Sequence, residues 1–161
     1  MARWLRHLFA PSAAGRFPAP ALARIGEAVA AGERLHGGEV VFAVEAGLSW
    51  AALAAGTTPR ARAEDVFARL RVWDTDANNG VLLYLLLADH AIEIVADRGL
   101  HGRVGDAQWA EICSAVAAAL ADGDAERAVA DGVARISDLL ARHFPPGGDA
   151  GDELPDGPVL L

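Results

Sequence analysis

The sequence predicts a three-layer α-β-α sandwich on a small mixed sheet, and three observations predict it. Val81 to Ala88 is an almost wholly apolar run of strand length, the pattern of a strand buried on both faces. Ala91 to Asp97 follows after Asp89-His90 and alternates, so the two runs read as an antiparallel hairpin. Helix-period stretches around a further alternating strand give the order α-β-α-β-β-α-α, in which strand, helix and strand imply a right-handed parallel crossover.

Taken in order, residues 1–16 form a basic and apolar segment, 17–144 a single α/β domain, and 145–161 an acidic Pro/Gly-rich tail without periodicity, read as mostly disordered. In the first segment Trp4, Leu5, Leu8 and Phe9 stand with Arg3 and Arg6. It reads either as a stretch packed on the domain or left unordered, or as an amphipathic contact for a membrane surface or membrane protein. Leu22, Ile25 and Val29 mark a first helix over Pro20 to Leu35, ended by Gly37-Gly38. Val40, Phe42 and Val44 mark a strand over Glu39 to Ala46, and Leu48 to Ala55 a helical turn with Trp50 and Leu53 inward.

Thr58 caps and Pro59 opens the next helix, which runs to about Val72 with Ala63, Val66, Phe67 and Leu70 on one face. In the hairpin, Ala88 opposite Ala91 places Leu82 opposite Asp97 and Gly80 opposite Gly99. The acidic loop from Asp74 therefore meets Asp97-Arg98-Gly99 at one end of the sheet. Asp106 is expected to cap a helix carrying Trp109, Ile112, Val116 and Leu120. Asp124 is expected to cap the last one, carrying Val129, Val133, Ile136 and Leu140.

Composition removes several functions. All 14 basic side chains of the Lys+Arg count are arginine, so P-loop, Schiff-base and lysine-dependent phosphotransfer chemistry are excluded. The net charge is −8; four of the 22 acidic residues lie after Pro145, leaving 18 against 14 arginines in the rest. Such a domain has no electrostatic reason to bind nucleic acid. The single cysteine, Cys113, permits no internal disulfide and reads as a small apolar helix residue. No apolar run approaches a membrane span, and the N-terminus lacks the pattern of a secretion signal, so the expected location is cytoplasmic or peripheral at the inner membrane face.

Asn78-Asn79-Gly80-Val81-Leu82-Leu83, then Ile92-Glu93-Ile94, then Asp97-Arg98-Gly99-Leu100 resemble the core of the TPM domain family, with similar element order over about Phe17 to Phe144. The resemblance implies the α-β-α sandwich. It also implies acid-phosphatase activity as ascribed to plant relatives, a divalent cation in some members, and membrane-protein neighbours for bacterial ones. Unlike the secreted or anchored members, this sequence shows neither a leader nor an anchor and resembles the shorter bacterial branch.

Asp74-Thr75-Asp76-Ala77-Asn78-Asn79-Gly80 starts like an EF-hand loop, but its sixth residue is Asn79 and its twelfth Leu85, where Gly and Glu are required. It also starts like a D-x-D phosphatase motif, yet it precedes the strand and the chain has no lysine. Two readings stay open. Asp74, Asp76, Asn78 and Asp97 supply oxygens to Ca²⁺ or Mg²⁺, with Arg98, His101, Asn79, Gly80 and Gly99 holding a ligand beside it; or the loop is a solvated turn, with Arg98 paired to Asp97 or Asp74. The expected function is a non-catalytic binding or assembly module, the alternative a metal-dependent phosphatase of low efficiency at that sheet end.

Overall fold

The structure is a computed structural model that describes residues 2–147 and 153–161. Two short helices, α1 (Arg3–Leu8) and α2 (Ala13–Arg16), precede α3 (Ala19–Glu33) and β1 (Glu39–Glu45). Then come α4 (Trp50–Ala54), α5 (Pro59–Arg69), β2 (Gly80–Leu86), β3 (Ala91–Ala96), α6 (Asp106–Ala121), α7 (Ala125–His143) and β4 (Val159–Leu160). The sheet order is β3-β2-β1-β4. β2 and β4 run parallel to β1, and β3 runs antiparallel to β2. This is the predicted mixed α-β-α sandwich.

Every residue of β1 and β2 is buried, because helices cover both faces. Val40, Phe42, Val44, Val81, Leu83 and Leu85 pack with Ile25 and Val29 of α3, Ile112 and Val116 of α6, and Val129, Val133, Ile136 and Leu140 of α7. Their neighbours along the strands, Val41, Ala43, Leu82, Tyr84 and Leu86, pack with Ala63 and Val66 of α5. Each large aliphatic side chain so buried contributes roughly 1.5–3 kcal/mol. The predicted caps are in place: Thr58 Oγ1 accepts from the Ala61 N–H at 3.1 Å, and Asp124 Oδ1 from the Arg127 N–H at 3.0 Å.

Four expectations are corrected. Leu86, not Ala88, faces Ala91, and Leu82 faces Val95, because Leu87–Asp89 form a 3₁₀ turn ending at His90 with φ 51°. The slip is two residues, so every side chain keeps its face. Asp106 is the first helical residue rather than the cap, which is Gly105; its N–H donates to Gln108 Oε1 at 3.0 Å. Trp50 points outward, 61% exposed, since five residues of α4 present too narrow a face to bury it.

The fourth correction concerns the tail. Glu153 to Leu161 lie along the sheet, with Val159 opposite Ala43, Leu160 opposite Val44, and the Leu161 N–H donating to the Val44 carbonyl at 3.0 Å. Edge strand β1 needs a cover for its backbone groups, and this segment supplies one. Residues 148–152 of the expected tail lie outside the described residues.

Candidate functional site

The strands β1 and β2 begin at the same end of the sheet, Glu39 opposite Gly80, and β3 finishes there. The loop before β2 is wound tightly against that end. The Asn79 N–H donates to Thr75 Oγ1 at 3.1 Å, and Asn79 Nδ2 donates to the Gly37 carbonyl at 2.6 Å. Asn78 adopts φ 52°, and its carbonyl and Oδ1 accept from the Gly99 N–H and Arg98 Nε, each at 2.8 Å. The Asp97 N–H donates to the Gly80 carbonyl at 2.9 Å, and Asp97 Oδ1 accepts from the Arg98 N–H at 2.7 Å. A Cβ on Gly80 would overlap the carbonyl of Val72, and one on Gly99 would lie 2.6 Å from the Ala77 carbonyl oxygen.

The sequence reading placed these residues at one end of the sheet, and they meet there. Their contacts are largely internal. Arg98 is held by Asn78 and forms no ion pair among the described residues, neither with Asp97 nor with Asp74. Asp74 pairs with Arg71 at 2.5 Å on the exposed surface. Asp76 is tied through its N–H to the Glu153 carboxylate at 3.1 Å, and exposed His101 makes a bridge with Val104.

A cation site requires oxygens left over. Asn79 Oδ1 and Asp97 Oδ2 are buried and have no hydrogen-bond partner. Asn78 Oδ1 and the Asp74 carboxylate are already engaged, and no group of three or more His, Cys, Asp or Glu placed to hold a metal is found among the described residues. Asp74 is drawn to Arg71 and both Asn78 Oδ1 and Asp97 Oδ1 to Arg98, so these oxygens are turned to internal partners rather than to one shared centre.

The acidic groups that do converge are ones the sequence reading passed over. Glu33 at the end of α3, Glu39 at the start of β1 and Asp156 of the C-terminal segment line one cleft with His36 and Arg34. Glu33 Oε1 accepts from the Val40 N–H at 2.8 Å. Burial pushes the Glu33 carboxyl up to about 9, aided by its hydrogen bond to Asp156 and the charge of Glu39. The Glu39 carboxylate accepts from the Glu153 and Leu154 N–H groups, both at 3.2 Å. Burial also lowers the pKa of His36, whose Nδ1 accepts from the Gly38 N–H at 3.2 Å. The signal in the sequence is Glu39, a carboxylate opening a strand whose next five residues are apolar; Asp156 is hidden when its segment is read as a tail.

At the opposite end of the sheet the N-terminal segment is fastened by Asp89. Arg3 Nη2 reaches it at 2.8 Å, Arg6 Nη2 at 3.1 Å and His7 Nε2 at 3.1 Å, while His7 Nδ1 accepts from the Leu48 N–H at 2.9 Å. Burial works to raise the Asp89 carboxyl, but Arg3 and His7 outweigh it and hold it below the usual range. The result is an aromatic patch: Trp4 is 46% exposed, Leu8 56%, Phe9 72% and Trp50 61%, with the Trp4 and Trp50 rings 6.0 Å apart. The Cys113 thiol is pushed up to about 11 chiefly by burial, which disfavours the thiolate.

Fold and site define a mixed α/β sandwich with an acidic cleft at the strand-start end and exposed aromatic side chains at the other. The chain belongs to the TPM domain family, whose profile matches residues 12–139. It is similar to the BA42 protein of the psychrophilic bacterium Bizionia argentinensis, whose NMR structure superposes with a TM-score of 0.77 at 27% identity, covering 90% of this chain and 95% of that one. No curated protein matches it by sequence.

Proposed function

We propose that this chain is a non-catalytic binding module whose contact surface is formed by Trp4, Leu8, Phe9 and Trp50. The single observation that carries the reading is the way this patch is held. Arg3, Arg6 and His7 are spent on Asp89, which holds α1 with Trp4 and Leu8 exposed. Large apolar groups presented together on a rigid support are the ordinary anchor of a protein interface. An anionic membrane surface suits the patch less well. Its two arginines are already paired and the chain carries a net charge of −8, so electrostatic attraction to lipid headgroups is weak. A protein partner with an apolar surface, in the membrane or beside it, fits better. The phosphatase reading fits the sheet end less well, since Asp74 pairs with Arg71 and Asp97 accepts from the Arg98 N–H.

A photo-crosslinking residue at Leu8, introduced in the native cells, tests this. A discrete adduct that disappears when Trp4→Ser and Phe9→Ser are added supports the module. No adduct, or one indifferent to those substitutions, contradicts it.

A further inference from the structure

The C-terminal segment lies on β1 in an unusual way. Its strand pairing is confined to Val159 and Leu160. Upstream, recognition passes through its backbone: the Glu39 carboxylate takes the N–H groups of Glu153 and Leu154. Two of its side chains, Leu154 and Val159, pack against the core beneath α5. Backbone clamping, short strand pairing and two spaced apolar anchors are how a sheet edge receives an extended peptide.

One side chain is mismatched. Asp156 points to a cleft of about 410 Å³ whose charged lining is Glu33, Glu39 and the exposed Arg34. A carboxylate there meets two others, and its Oδ1 is buried with no hydrogen-bond partner among the described residues; burial first, then Asp156 and Glu39, raises the Glu33 carboxyl. A cationic side chain at that position would let Glu33 ionise and would gain charge-assisted hydrogen bonds.

The geometry points to the β1 edge as a docking groove for an extended peptide of a partner protein, with apolar residues where Leu154 and Val159 sit and a lysine or arginine where Asp156 sits, the chain's own Glu153–Leu161 filling the groove as a poorly matched substitute. The groove is separate from the aromatic patch, since Glu39 and Asp89 lie at opposite ends of the strands.

The test uses the full chain and two labelled peptides: residues 153–161 as they stand, and the same peptide with Asp156→Lys. Val159→Asp in the protein loosens the resident segment. Fluorescence polarisation should show the lysine peptide binding this loosened chain at least about tenfold more tightly than the unaltered one. The unloosened chain should bind it about tenfold more weakly, and Glu33→Gln with Glu39→Gln should erase the preference for lysine. Equal affinities for the two peptides, or no saturable binding to a folded loosened chain, overturn the proposal. If the loosened chain does not fold, Asp156→Lys within the full chain decides. Its Leu161 amide should exchange at least about tenfold more slowly than in the unaltered chain, and unchanged or faster exchange overturns the proposal.

Discussion

Asn79 Nδ2 donates to the carbonyl of Gly37 at 2.6 Å, joining the start of β2 to the turn that launches β1. Asn79 is 1% exposed, so no water replaces this bond readily. Asn79→Ala should cost about 1–2 kcal/mol, the loss of a buried hydrogen bond that leaves the Gly37 oxygen unpaired. Asn79→Asp should cost more, about 3 kcal/mol, because a carboxylate then faces a carbonyl oxygen. Urea unfolding of the three chains gives the ranking.

Gly80 and Gly99 are required by close approach, Gly80 to the Val72 carbonyl and Gly99 to those of Ala77 and Asn78. These are backbone atoms, which cannot rotate away. Gly80→Ala should destabilise by about 3 kcal/mol or prevent folding, whereas Gly147→Ala, with nothing near it, should leave the thermal midpoint unchanged.

Glu33 gives a pH dependence whose sign is fixed by its raised pKa. Its folded value of about 9 lies above the ordinary 4.5, so the folded chain holds a proton that the unfolded chain releases between those limits. The stability linked to this group is fully present below about pH 4.5 and is lost as pH rises towards about 9. Glu33→Gln keeps an acceptor for the Val40 N–H and a donor for Asp156 without the ionisation. Its thermal midpoint should fall less than that of the unaltered chain between pH 6 and 9, and the two midpoints should be closest at the acid end.

Between β1, β2 and α5, Glu45 accepts from Arg62 Nε at 2.8 Å, Arg62 Nη2 at 3.0 Å and Tyr84 OH at 2.7 Å. Arg62→Met strands a buried carboxylate and should cost about 3–5 kcal/mol. Tyr84→Phe leaves Glu45 with its arginine and should cost only about 1–2 kcal/mol. Calorimetric melting of both variants at pH 7 should separate them clearly.

Much of this architecture was legible in the sequence, and the failures have physical causes. The apolar run from Val81 reveals the central strand because burial on two faces leaves no charged position, and its one polar side-chain atom, the Tyr84 hydroxyl, is spent on Glu45. The convergence of Asn78 and Asn79 with Asp97 and Arg98 survived an error in register, since a slip of two residues preserves both faces and ends. What Asn79, Gly80 and Gly99 do was not legible. Their approach to Gly37, Val72 and Ala77 is set by tertiary packing, and a glycine looks the same beside a ligand as beside a carbonyl. The C-terminal strand was missed because composition describes a segment alone, whereas β4 is ordered by the edge it covers.

The most direct test of a non-catalytic module is hydrolysis of a chromogenic phosphate monoester with Mg²⁺ by the purified chain and by its Asp74→Asn/Asp97→Asn variant. The paired substitutions remove the sheet-end charges while keeping an acceptor for the Arg98 N–H. Equal rates in the two proteins, at the level of the buffer control, are the expected result. Turnover above that control in the unaltered chain, lost in the variant, would make the sheet end an active site and contradict the account.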